Sequence, residues 1–133
     1  MPSHASGERE FTRFDFQDLL ERRALDIAQP DVARAGGMME IRRIAALTSA
    51  HGVRLAPHAW GSGVLFAASI HGAMAAPNCH ILDMPMMWDL INEPFDIRPD
   101  GMVHAPGRAG LGFTLRADAL ARFRYVDGAE FEF

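Results

Sequence analysis

The chain has 133 residues, 49% of them hydrophobic and 23% charged, with a formal net charge of -4, a profile that fits one soluble globular domain. The mild acidic excess argues against nucleic-acid binding, which needs a concentrated basic face, and the single cysteine, Cys79, excludes an intrachain disulfide framework. All 13 basic residues are arginine, so lysine chemistry (base, Schiff base or phosphate clamp) is unavailable. Residues 1–7 lack the charged-then-apolar order of a secretory signal, and no run reaches the ~18–20 apolar residues of a membrane span. The expectation is a cytoplasmic chain with no membrane partner.

In chain order, the residues before Gly7 can form a strand that feeds an amphipathic helix over 14–23, with Phe16, Leu19 and Leu20 on its apolar face. Leu25-Asp26-Ile27-Ala28 reads as a strand. From Met38 the apolar positions Met38, Ile41, Ile44, Ala45 and Leu47 recur at helical spacing until His51-Gly52 stops the helix. Val53-Arg54-Leu55-Ala56 reads as the next strand. The small and apolar stretch 64–76 follows as a helix packed on two sides, and Cys79-His80-Ile81-Leu82-Asp83 as a further strand. Beyond Asp83 the sequence predicts loop to Ala109, with a hairpin around Pro99-Asp100-Gly101, a short helix over 117–124 and a frayed or paired tail, Glu130-Phe131-Glu132-Phe133.

Strand and helix alternating every ~25–30 residues point to parallel β/α units. A closed β/α barrel needs eight strands and about 250 residues. The expected fold is therefore α/β: one domain over 1–133, a partial (half) β/α barrel of about four parallel strands with helices on the outer face. Its successive β/α units occupy 1–83, and 84–133 form an irregular C-terminal loop, short helix and tail.

In parallel α/β folds, functional groups gather at the carboxyl ends of strands. Those places hold Glu8, Asp31, His58 and Asp83, spaced 23, 27 and 25 residues apart, about one β/α unit each. Asp31 and His58 on neighbouring strands suggest a dyad in which a carboxylate fixes the imidazole tautomer and raises the basicity of the other ring nitrogen. Glu8 suits a hard cation such as Mg²⁺. Plainer readings stand beside these: Asp31 as a turn or helix-capping residue, His58 as a structural histidine, Glu8 as a solvated charge.

Several pieces occur in a fixed order: Gly7-Glu8, Phe11-Thr12-Arg13-Phe14, Gln29-Pro30-Asp31, Gly36-Gly37 with Glu40, Ala56-Pro57-His58-Ala59-Trp60-Gly61-Ser62, and Pro106-Gly107-Arg108-Ala109-Gly110-Leu111-Gly112. Together they resemble the carboxyl-terminal half of the barrel domain of the mandelate racemase branch of the enolase superfamily, over about residues 4–124. The resemblance implies a Mg²⁺-dependent abstraction of the proton α to a carboxylate, through an enediolate. Matched by position, Glu8 is similar to the third metal ligand, and Asp31 and His58 to the Asp–His dyad with His58 as base or acid. Asp83 stands where the family usually has a glutamate that binds the substrate. Trp60 and Arg13 are expected to line the pocket, with aromatic packing the plainer reading for the first and a surface ion pair for the second. The implied partner is a small carboxylate such as a sugar acid, with dehydration the broadest chemistry and racemisation the other. Branches with a lysine in place of Asp31, cycloisomerases and dipeptide epimerases among them, match poorly.

The same resemblance implies parts without a counterpart in these 133 residues: the capping domain, the first four barrel strands, the lysine-bearing strand and two of three metal carboxylates. Mg²⁺ binding by this chain alone is then expected to be weak or absent, and the chain inactive by itself. Two alternatives follow, a half-barrel that assembles with a second copy or a separate amino-terminal partner, and a non-catalytic relict. The methionines Met84, Met86 and Met87 could mark a soft-metal or hydrophobic partner site, although methionine more commonly fills core gaps.

Overall fold

The computed structural model describes residues 3–84 and 90–127. Strands β1 (Ala5–Ser6), β2 (Ile27–Ala28) and β3 (Arg54–Leu55) form a parallel sheet in the order β1-β2-β3. Helices α1 (Thr12–Glu21), α2 (Met38–Ala50) and α3 (Gly63–Met74) alternate with them. Then come an antiparallel hairpin of β4 (Asp96–Ile97) and β5 (Val103–His104), and the short helix α4 (Ala117–Arg122). Among the described residues no helix is long and apolar enough to cross a membrane. The calls on Met86, Met87 and the tail Glu130–Phe133 lie outside the described residues.

The alternation of side chains along the strands divides the sheet into two faces. Ala28 and Leu55 are fully buried and join Phe16, Leu20, Ile41 and Ile44 in the main core. Their strand neighbours Ala5, Ile27 and Arg54 share one register row and turn the other way, with Ala5 and Arg54 exposed. A second cluster joins α3 to the C-terminal segment: Phe95 stacks edge-on against Phe66 (centroids 4.6 Å) and tilts against Phe113 (4.7 Å).

Two in-register prolines explain why the strands are so short. Pro30 and Pro57 carry no N–H, so each offers the ladder only its carbonyl: His58 N–H donates to Pro30 O (3.1 Å) and Asp83 N–H to Pro57 O (3.3 Å). The strand expected over Cys79–Asp83 is accordingly corrected. Cys79 makes one isolated parallel bridge to Leu55, and as far as Asp83 the segment adds only the single bond from Asp83 N–H to Pro57 O, too little for a strand. The missing donor at Pro57 interrupts the ladder there. The hairpin sits where the sequence places it, with Gly101 at φ 82° and its N–H donating to Arg98 O (2.9 Å).

Two helices end in the same capping geometry. After α2, Gly52 N–H donates to Ser49 O (3.0 Å) and Val53 N–H to Thr48 O (2.9 Å), with Gly52 at φ 70°, the hydrogen-bond pair of the Schellman motif. After α1, Arg23 N–H donates to Leu20 O (3.0 Å) and Ala24 N–H to Leu19 O (2.9 Å). Here a non-glycine residue, Arg23 at φ 52°, occupies the left-handed position.

Candidate active site

The bridge Asp31↔His58 continues the register of Ile27↔Arg54, four residues on in each strand. Both side chains therefore stand on the sheet face turned away from the helices. His58 Nδ1 lies 3.1 Å from Asp31 Oδ2, and Asp31 is 7% exposed. The other carboxylate oxygen, Oδ1, accepts the N–H of Ala33 (2.8 Å) and of Arg34 (3.0 Å). The capping reading and the dyad reading of Asp31 thus hold together: the turn fixes the carboxylate, and the fixed carboxylate orients the imidazole. With Nδ1–H donated to Asp31, the lone pair of His58 sits on Nε2.

Asp83 Oδ2 is 4.0 Å from that Nε2, so His58 lies between two carboxylates. Glu8, Asp31, His58 and Trp60 line one open cleft of about 690 Å³. Hydrogen bonds from the backbone N–H groups of Glu8 and Gly7, together with the nearby His58, hold the Glu8 carboxyl below its ordinary value against a desolvation that raises it. Glu8 is therefore an anion across the neutral range. Trp60, 80% exposed, offers an uncovered aromatic face at the rim.

Arg13, by contrast, is taken up elsewhere. Its guanidinium and its N–H both bind Glu40, at 2.5 and 3.1 Å, and Arg43 binds the same carboxylate at 2.5 Å. This is the ion-pair reading, and the clasp ties the start of α1 to α2. Sequence reasoning missed Arg9 and Arg34, which do line the cleft. Arginines in turns read as solvated, and the usable signal was position: each lies within three residues of a strand-end carboxylate. In a chain with no lysine, they are the cleft's cations. The sole cysteine, Cys79, is pushed up in pKa by burial, which makes it a poor nucleophile.

The family model described as enolase C-terminal domain-like matches residues 5–119. The chain belongs to that family. It is similar to the D-galactarolactone cycloisomerase of Agrobacterium fabrum, 36% identical over 92% of this chain and 36% of that protein. It is also similar to the D-galactonate dehydratase of Ralstonia pickettii, 34% identical over 84% of this chain and 32% of that protein. A solved enolase from Agrobacterium radiobacter, with bound sodium and L-malate, superposes with a TM-score of 0.82 at 28% identity, covering 92% of this chain and 35% of that one. The chain spans about a third of the length of the relatives it matches. The cycloisomerase among them shows that setting that whole class aside on Asp31 was too broad.

Proposed function

We propose that the Asp31–His58 pair is the acid–base half of a site that removes the proton α to the carboxylate of a small sugar acid. The observation that carries this reading is the dyad itself, a carboxylate with both oxygens committed and an imidazole left with Nε2 free for a proton. The names of the relatives, a galactonate dehydratase and a galactarolactone cycloisomerase, support a sugar-acid substrate, as does the L-malate held by the solved enolase. In this reading Arg9 and Arg34 attract the carboxylate, Trp60 covers an apolar face of the sugar, and His58 Nε2 takes the α proton. For dehydration the β-hydroxyl then leaves with a proton, and the resulting enol tautomerises to a 2-keto acid. Asp83, at 4.0 Å from Nε2, stabilises the imidazolium or contacts the substrate.

Members of the enolase superfamily bind Mg²⁺. Among the described residues no three His, Cys, Asp or Glu side chains gather where they could hold a metal ion. Glu8 is one carboxylate, and Mg²⁺, which gives up its waters reluctantly, needs more. The residues of this chain do not by themselves fit the ion. Glu8 offers one anionic oxygen to a site whose other ligands, and whose second acid–base group, come from outside these 133 residues.

The test is exchange of the α proton for deuterium, followed by NMR over a panel of aldonic and aldaric acids, with 2-keto acid formation as the second readout. The chain alone is expected to be silent. Joined to the part of the R. pickettii dehydratase that lies outside the match, it is expected to exchange, and His58→Asn to lower the rate at least 100-fold. Exchange unaffected by His58→Asn, or robust turnover by the chain alone, overturns the reading.

A further inference from the structure

Among the described residues, two non-glycine ones have a positive φ, Arg23 at 52° and Thr12 at 55°. Arg23 closes a helix, where a left-handed residue is common. Thr12 opens one, as the first residue of α1, where φ is ordinarily near the value of about −65° that proline fixes. It is also β-branched, which makes a left-handed backbone a true outlier. Such strain persists only where the surroundings over-determine it.

The bonds that hold Thr12 run to one place. Its N–H donates to Ala35 O (3.2 Å), and the N–H of Ala35 donates to Asp31 O (2.8 Å). The N–H and guanidinium of the next residue, Arg13, bind Glu40 in the first turn of α2. Thr12 thus fastens loop 8–11, which carries Glu8 and Arg9, to the turn that fixes Asp31. Phe11, extended at φ −105° and ψ 132°, stays out of the core and is 56% exposed. Its ring lines the cleft, with the Arg34 guanidinium 5.7 Å from its centroid, within reach of a cation–π contact.

We propose that Thr12 is a positioning residue. Its left-handed backbone, rather than its side chain, sets loop 8–11 against the Asp31 turn and lays Phe11 beside Arg34 in the cleft. The proposal deepens the reading in which Arg9 and Arg34 draw in the substrate carboxylate, and it rests on that reading for its effect on the reaction. It acts on substrate binding. The dyad keeps bonds of its own, from Ala33 and Arg34 to Asp31 Oδ1 and from the His58 N–H to Pro30 O.

Two substitutions separate the backbone of residue 12 from its side chain. Proline suits the first position of a helix, and Phe11 already has the extended backbone that must precede it, so α1 is expected to form in Thr12→Pro. The proline ring forbids the left-handed backbone and removes the N–H that meets Ala35. Glycine adopts the left-handed backbone without strain. In the chain alone, proton NMR reads the ring-current shift that Phe11 imposes on the Arg34 guanidinium. That shift is expected to survive in Thr12→Gly, with a higher urea midpoint, and to vanish in Thr12→Pro. In the chain completed with the remainder of the R. pickettii dehydratase, Thr12→Pro is expected to raise KM about fivefold with kcat unchanged, and Thr12→Gly to match wild type. If circular dichroism shows that Thr12→Pro does not fold, Phe11→Leu takes its place, a change at an exposed ring that must raise KM to a similar extent. A ring-current shift that survives Thr12→Pro, a wild-type KM in Thr12→Pro or its replacement, or a raised KM in Thr12→Gly overturns the inference. Exchange indifferent to His58→Asn fails the proposed function instead, and the shift in the chain alone then decides this inference.

Discussion

Asp31 and His58 occupy the same register position of adjacent parallel segments, and Oδ2 of the one meets Nδ1 of the other at 3.1 Å. The contact follows from the backbone on both sides. Pro30 O receives the His58 N–H, which sets the histidine's height, and the turn after Asp31 holds Oδ1 by two N–H groups, which sets the carboxylate's rotation.

Asp31→Asn separates the two tasks of that carboxylate. The amide oxygen can keep the two turn hydrogen bonds, which forces the NH₂ toward His58 Nδ1. The imidazole must then accept at Nδ1 and carry its proton on Nε2, where it is useless as a base. Long-range ¹⁵N–¹H NMR is expected to show His58 change tautomer, with exchange in the completed enzyme falling at least 100-fold and melting little changed. Asp31→Ala, which also loses the turn, is expected to cost about 1 kcal/mol of stability in urea unfolding. An unchanged tautomer in Asp31→Asn would show that the contact does not orient the ring.

The Glu40 clasp makes stability depend on pH in one direction. Hydrogen bonding from Arg43, then from the backbone of Arg13, with the charges of both, holds the carboxyl below its ordinary value of 4.5 against desolvation. A depressed carboxylate stabilises the fold fully above the unfolded value, and the contribution disappears as pH falls through the folded one. Wild type should therefore be more stable than Glu40→Gln by a constant margin at pH 6–8. The margin should close below about pH 4.5 and shrink in 1 M salt, because Arg13 and Arg43 are partly exposed. Urea unfolding across pH 3–8 reads this directly, and a margin that widens toward acid would refute the assignment.

The paired helix ends give a comparison within one molecule. Gly52 fills its left-handed cap without a Cβ, whereas Arg23 fills the equivalent cap at φ 52° with one. Arg23→Gly is expected to stabilise the chain by about 0.5–1 kcal/mol, and Gly52→Ala to destabilise it by about 1 kcal/mol. Thermal or urea unfolding of the two variants checks the opposite signs.

How much of this was legible in the sequence depends on the range of the contacts. The strands around Ile27–Ala28 and Arg54–Leu55, the helix over Met38–Ala50 and the hairpin at Gly101 all rest on local periodicity or turn chemistry, and all could be read. The strand over 79–83 looked sound locally, and was lost because Pro57, more than twenty residues earlier, lacks the N–H that a ladder needs. The clasp of Glu40 with Arg13 spans 27 residues, and no periodicity announces it. Arg23 as a helix cap broke the glycine rule that made Gly52 readable. At the site, spacing brought Glu8, Asp31 and His58 to one cleft, but it was silent on Arg9 and Arg34, whose place depends on how the turns fold over.

Gly72 tests the packing of α3 on α2. In a helix interior, glycine normally costs 0.5–1 kcal/mol relative to alanine, so Gly72→Ala would be expected to stabilise an isolated α3. A Cβ at Gly72, however, would stand 3.0 Å from Ile41 Cγ2, and Ile41 is fully buried in the core with nowhere to retreat. Overpacking of that kind costs about 1–3 kcal/mol, so the close contact outweighs the propensity gain and the net sign is destabilising. The double variant Gly72→Ala with Ile41→Ala removes the offending methyl, and there the alanine should become neutral or favourable. A double-mutant cycle by urea unfolding, with a coupling of about 1 kcal/mol or more, checks the contact. Additive effects would mean that the helices adjust and that Gly72 is not what sets their approach.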